Sequence, residues 1–398
     1  MRHGTHGHRG CEGGSDPWRR KGTGRNSRSV EQTKEATVNS VCSSGVRLQT
    51  RIKQNQTEVV AMEIKVLSRK DLINVLELPE VIEGVEAVYR AKAKGQVAAW
   101  PLVEHRFETG ALMDIRSGGA FGEVAIHGAK LLNNFPENAE KGLPVFTGVL
   151  MAFDSKTGMP IGVMDASYIT RLRTGAAAAI GAAALARPDS ETLLLVGAGL
   201  QSIYLLGASI LKLPDITKVI VADPYAPENA SRYVKSIEKR LKEELHIDCG
   251  HVTFRACDDL KKAVEVSDVI LTVTRSTKPL IMKDWVRPGT HLSCIGADMT
   301  GKEEIDPQLF TVARAFADDA KQCCAVGEME IPARMGLISP DTVTGEIGQV
   351  LIGEVPGRVS ADDITIFDAT GLAALDLVTA KTAVESAQKK HLGTTAEI

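Results

Sequence analysis

Aromatic side chains make up only 4% of this 398-residue sequence, which argues against a surface that stacks nucleobases or sugars. Lysine and arginine (47) do not outnumber aspartate and glutamate (50), and the formal net charge of −3 leaves no basic excess for nucleic acid. No apolar run reaches the ~18–20 residues a membrane-spanning helix needs, so the chain reads as soluble, with no membrane partner. The seven cysteines, at 11, 42, 249, 257, 294, 323 and 324, are odd in number and show no CxxC or other metal-ligand spacing. Reduced thiols in a cytoplasmic protein, with no metal, are the expectation.

What is present divides unevenly. Residues 1–61 are rich in Gly, Arg, Ser and His and poor in aliphatics. Such a segment buries too little apolar surface to offset its ordering entropy. It is expected to be a disordered N-terminal extension, with His3, His6 and His8 solvated rather than metal-bound; Met62 opens the first patterned stretch. EIKVL then alternates as a strand, Ser68 caps a helix beginning RKDLINVL, and LPEVIEGVEAVYRAKAKG carries Val81, Val85 and Val88 at helical spacing. Strand-like segments follow: VAAWPLVEHRF, ALMDIR, EVAIHGAKLL and FTGVLMAFDSKTGMPIGVMD, the last with a hairpin turn at Ser155–Gly158. After the helix-rich SYITRLRTGAAAAIGAAALA, strands and helices alternate from 192 to 298 in the manner of a parallel, doubly wound sheet. The chain becomes more helical beyond Gly327, then closes with a strand and a helix, the helix placed to pack back on the first domain.

The clearest motif is ETLLLVGAGLQSIYLLGASILK, a buried strand, a glycine turn and a helix. Gly197 and Gly199 allow the backbone to approach a pyrophosphate at the helix N-terminus, where free N–H groups and the helix dipole favour anions. The usual third glycine is missing. Asp223, 26 positions after Gly197 at the end of the next strand, is placed to accept hydrogen bonds from a ribose 2′-hydroxyl and to repel a 2′-phosphate, which points to NAD rather than NADP. Thr272 and Thr274 close a later strand, on the nicotinamide side by the sheet-end rule.

Together with LLLVGAGLQS, the segments DASYITRLRTGAAAAIGAAALA, ILTVTRSTKPLI, HLSCIGADMTGKEEID and TIFDATGLAALD resemble the ornithine cyclodeaminase/mu-crystallin family, in the family's order over about 62–390. The resemblance implies a Rossmann-type doubly wound sheet for 181–371. It also implies a discontinuous α+β substrate and dimerisation domain, 62–180 completed by 372–398, in a homodimer. By the same resemblance Lys130 holds the substrate carboxylate beside the nicotinamide, Arg173 contacts substrate and cofactor, and Asp298 is the acid/base. Lys302, Leu200, Gln201, Thr274 and Ile295 fall at cofactor contacts. One departure stands out: Val103 occupies the place of a carboxylate-gripping arginine, and Arg106 or Arg116 is the candidate replacement. The implied activity is NAD-dependent cyclisation of a small diamino acid, ornithine to proline plus ammonia. The alternatives are an imine reductase or amino-acid dehydrogenase, or a non-catalytic accessory protein of the same fold, of the kind associated with tyramine oxidase.

Overall fold

The computed structural model describes residues 36–41, 47–52 and 62–398. The reading of residues 1–61 as a solvated extension lies outside the described residues, apart from Ala36–Val41 and Arg47–Ile52, which pair as a two-stranded sheet.

From Met62 onward two eight-stranded sheets carry the chain. The first is ordered Thr394–Glu397, Glu63–Leu67, Pro160–Asp165, Phe146–Asp154, Ile126–Asn134, Leu112–Ala120 and Val97–Ala99, with Val103–Arg106 also paired to Leu112–Ala120. VAAWPLVEHRF is therefore two short strands rather than one. Pro101, which has no N–H to donate to a ladder, falls between them. The hairpin turn forms as expected: Gly158 has φ +73°, and the Asp154 carboxylate accepts from the N–H groups of Lys156 and Thr157.

The second sheet is wholly parallel, in the order Thr253–Ala256, Lys218–Ala222, Thr192–Val196, Val269–Thr272, His291–Cys294, Thr365–Asp368, Arg314–Ala317 and Gly345–Glu346. Its central strands are apolar on both faces because helices cover both sides. Leu193, Leu194, Leu195 and Val196 are all fully buried.

Two helices position the site. Ala166–Leu185 starts on an Asp165 cap, whose carboxylate accepts the Tyr168 N–H at 2.9 Å. It is built almost entirely of small residues and packs against strands of both sheets. Gly181 lies so close to Phe367 that a Cβ there would stand 2.1 Å from the ring. The second helix, Ala373–Lys390, follows the last central strand and returns to cover the first sheet. The chain then adds Thr394–Glu397 as an edge strand antiparallel to Glu63–Leu67.

Candidate active site

The glycine turn and the ends of the neighbouring strands line a groove of about 950 Å³. Gly197, Gly199, Leu200, Gln201, Asp223 and Thr274 all face it, with Tyr225, Asn229 and Arg275. Gly197 has φ +106°, and a Cβ there would meet the Val273 carbonyl at 2.8 Å, so glycine is required. A Cβ on Gly199 would meet nothing within 4 Å, so the backbone is open on that side. The helix behind the turn begins at Ser202, its N-terminus aimed at the same space. Asp223 is fixed by the loops it joins, accepting N–H bonds from Ala198 (3.3 Å), Tyr225 (3.2 Å) and Ala226 (3.1 Å). Groove, turn and acid together fit a dinucleotide. Ile295, by contrast, is a core residue, 7% exposed, outside the residues that line the groove.

A second cavity, about 100 Å³, is lined by Arg106, Arg116 and Asp298, with Trp100, Glu104, Thr300, Gln322, Gly371 and Leu372. Both arginines nominated to replace the one missing at Val103 reach it. Asp298 follows the His291–Cys294 strand and accepts a 2.5 Å hydrogen bond from Lys302, which also donates to the Gly296 carbonyl at 3.2 Å. Lys302 thus sits beside the acid and steadies it.

Lys130 and Arg173 are absent from that wall and lie just behind it. The Lys130 ammonium donates to Asp376 at 2.7 Å and to Thr170 at 3.3 Å, and Arg173 Nε donates to the other Asp376 oxygen at 3.0 Å. Lys130 and Asp376 are each 1% exposed. Arg116 is paired in register with Lys130 on the adjacent strand and donates to the Thr370 carbonyl. The Arg173 guanidinium packs against Gly371, where a Cβ would stand 2.4 Å from Nη1. A single loop, Thr370–Gly371, therefore separates the buried cations from the cavity.

Three cations around one carboxylate set the electrostatics. Burial pushes the Lys130 ammonium down to about 7, and Asp376 only partly offsets this because Arg173 and Arg116 repel the charge. Burial works against the Asp376 charge too, but Arg173 and Lys130 outweigh it and hold that carboxyl below its usual range. Arg116 loses by burial and gains more from Asp114, Asp298 and Asp376, so it stays charged. The result is a lysine that changes protonation near neutral pH, held next to two fixed positive charges.

Sequence reasoning missed Asp376. It sits in the first turn of the last helix, 246 residues from Lys130, and read alone it is one acid on an amphipathic face. Its sequence-level signals are its place at the end of TIFDATGLAALD, one of the segments that carry the resemblance, and its position four residues past the Leu372 cap, where the helix dipole favours an anion.

Similarity to known proteins extends over most of the chain. Residues 62–391 match the model of the ornithine cyclodeaminase/mu-crystallin family. An alanine dehydrogenase of Archaeoglobus fulgidus is 34% identical over 334 residues, covering 83% of this chain and 98% of that one. The solved iminosuccinate reductase of Paracoccus denitrificans in complex with NAD+ superposes with a TM-score of 0.77 at 31% identity, over 84% of this chain and 100% of that one. A lysine cyclodeaminase structure gives a TM-score of 0.72 at 25% identity, over 85% and 96% of the two chains. With motifs, two-sheet architecture and similarity over residues 62–391 all in accord, the chain belongs to the ornithine cyclodeaminase/mu-crystallin family.

Proposed function

We propose that this protein is an NAD-dependent enzyme that interconverts a small α-amino acid and its α-imino acid. The observation that carries the reading is the cluster of Arg116, Lys130 and Arg173 around Asp376, with Arg116 and Asp298 lining a cavity of about 100 Å³ and the other two cations behind it. That volume is well below the roughly 300–1,000 Å³ of sites for drug-sized ligands, and it suits a three- or four-carbon acid.

Bound NAD supplies the acceptor, or in reverse the donor, of the hydride at the substrate Cα. Arg116, which lines the cavity, holds the substrate carboxylate and so fixes the direction of the Cα–H bond, a positioning effect worth several orders of magnitude in rate, while the buried cations behind the Thr370–Gly371 loop add positive potential. Lys130 contributes in its ammonium form. Asp298 takes the proton released from the substrate nitrogen and returns it in the reverse direction, steadied by the Lys302 bond. Excess NADH formed from NAD+ and L-alanine or another small amino acid, read at its absorbance, tests the reading; no NADH across a panel of such acids would end it.

A second reading, the cyclodeaminase chemistry expected from the sequence, is favoured by the acid at 298 itself, a cavity-lining carboxylate of the kind that deprotonates a distal amine. It differs in outcome: NAD and L-ornithine would release ammonia with no net NADH.

The homodimer belongs to the same proposal. The outer face of an antiparallel sheet is ordinarily polar. Here Val149 and Met151 are 49% and 40% exposed on one strand, opposite Leu131 and Ala129 on the next. A second copy is the natural cover for this apolar strip.

A further inference from the structure

Beneath the floor of the nucleotide groove lies a buried acid that the mechanism above does not use. Glu304 is completely buried on the short strand Glu303–Ile305. Its Oε1 accepts the Thr274 N–H at 2.6 Å; its Oε2 accepts the Thr272 hydroxyl at 2.6 Å and the Gly296 N–H at 2.8 Å. These donors come from the C-terminal ends of two adjacent parallel strands, Val269–Thr272 and His291–Cys294. Val273 and Thr274 themselves line the groove. One residue thus ties together the two strand ends where a dinucleotide's reactive ring rests by the switch-point rule.

The chemistry of the contact set is one-sided. Both oxygens receive hydrogen bonds, two of them from backbone N–H groups that have no other role, as befits an ionised carboxylate. No lysine or arginine pairs with Glu304 among the described residues. The neighbouring acid, Glu328, accepts the Glu304 and Ile305 N–H groups. Burial and the proximity of Glu304 push the Glu328 carboxyl well up, while the three donors on the Glu304 oxygens favour its charged form. Burial also pushes Glu304 up, against those donors. A buried anion with backbone donors but no counterion is costly unless something cationic completes it.

We propose that Glu304 is a positioning residue that biases bound cofactor toward its oxidised state, the positive charge of the oxidised nicotinamide ring serving as the missing counterion. The inference rests on the NAD part of the functional reading and is independent of which acid is turned over. Its signature is selective. An anion under the ring strengthens binding of NAD+, whose ring is cationic, and leaves NADH, whose ring is neutral, nearly unaffected. A purely structural role would move both together.

The test is equilibrium binding of NAD+, NADH and ADP-ribose to the full chain, by calorimetry or by quenching of intrinsic fluorescence. Glu304→Gln is expected to raise the Kd for NAD+ about tenfold relative to that for NADH, as loss of one nearby charge in a low-dielectric site does. ADP-ribose, which lacks the nicotinamide, should bind as it does to the unaltered protein. Equal shifts for NAD+ and NADH, or no shift at all, would overturn the proposal while leaving the cofactor reading intact. Failure of the unaltered protein to bind any of the three would overturn both. Should Glu304→Gln not fold, Glu304→Asp carries the test. It keeps the charge but withdraws it by one methylene, and should move the NAD+ to NADH ratio two- to threefold in the same direction; an unchanged ratio refutes the idea.

Discussion

Replacing Asp376 with asparagine removes one negative charge from a place where it neutralises two cations. Both Asp376 and Lys130 are 1% exposed, and Arg173 is nearly as deep. Deleting one partner of a buried ion pair ordinarily costs about 3–5 kcal/mol. Here the loss should fall at the lower end, ~3 kcal/mol, because Lys130 titrates at about 7 and sheds its proton cheaply at neutral pH, whereas Arg173 cannot. At roughly 1.3 °C per kcal/mol for a chain of this length, Tm should drop by about 4 °C. The same change has a kinetic sign. The Lys130 ammonium sits below its ordinary range despite Asp376, so removing Asp376 lowers it further. Because the positive charge of the ammonium form adds to the field holding the carboxylate, kcat/KM of the unaltered enzyme falls as pH rises through about 7, and in Asp376→Asn that limb moves to lower pH. Linkage gives the matching stability trend. The depressed lysine favours its neutral form in the fold, a contribution complete above the unfolded value of 10.5 and lost as pH falls through about 7. Thermal unfolding at pH 7 and kcat/KM between pH 5.5 and 9 check both halves. A Tm within ~2 °C of the parent together with an unmoved limb would refute the reasoning.

Other outcomes follow from single contacts. Asp298→Asn should lower kcat by about 100-fold or more while leaving NADH affinity within about twofold; lost binding would show that the acid holds the cofactor instead. Asp223→Ala should raise the NADP+ to NAD+ preference by roughly tenfold or more, measured as a ratio of Kd values, and an unchanged ratio would remove Asp223 from cofactor choice. Gly181→Ala drives a methyl into the Phe367 ring and should cost about 1–3 kcal/mol in denaturant unfolding; a neutral result would mean that the helix slides freely. Val149→Lys places a charge on the exposed apolar strip and should shift the protein toward monomer in light scattering; a parent that is monomeric would sink the dimer proposal outright.

Much of the fold was legible because it depends on local pattern. The glycine turn after LLLV, the Ser68 cap and the Ser155–Gly158 hairpin are each decided by a few adjacent residues, and each forms as the sequence indicates. Ser68 even completes a reciprocal capping box with Asp71. The parts that escaped are those whose partners are distant. Nothing near Asp376 announces that it will meet Lys130 and Arg173, and nothing near Glu304 announces three donors from other strands. The edge strand Thr394–Glu397 was missed for a similar reason. TTAE has no periodicity of its own and becomes a strand only because Glu63–Leu67 offers it a free edge. Lys130 shows the opposite case: the resemblance named it, yet only the structure shows it walled off from the cavity, a lysine tuned by its surroundings.

The pairing of Thr394–Glu397 with Glu63–Leu67 has a consequence for synthesis. A ribosome delivers the chain from its amino end, so the first sheet is made early but lacks both its covering helix and its edge strand until residues 373–397 have been made. The parallel sheet between them has all its strands by residue 368 and can fold as soon as those emerge. Newly made protein should therefore pass through a stage with the nucleotide-binding half assembled and the other half waiting, its apolar surface exposed to chaperones until the final turns of the last helix clear the exit tunnel.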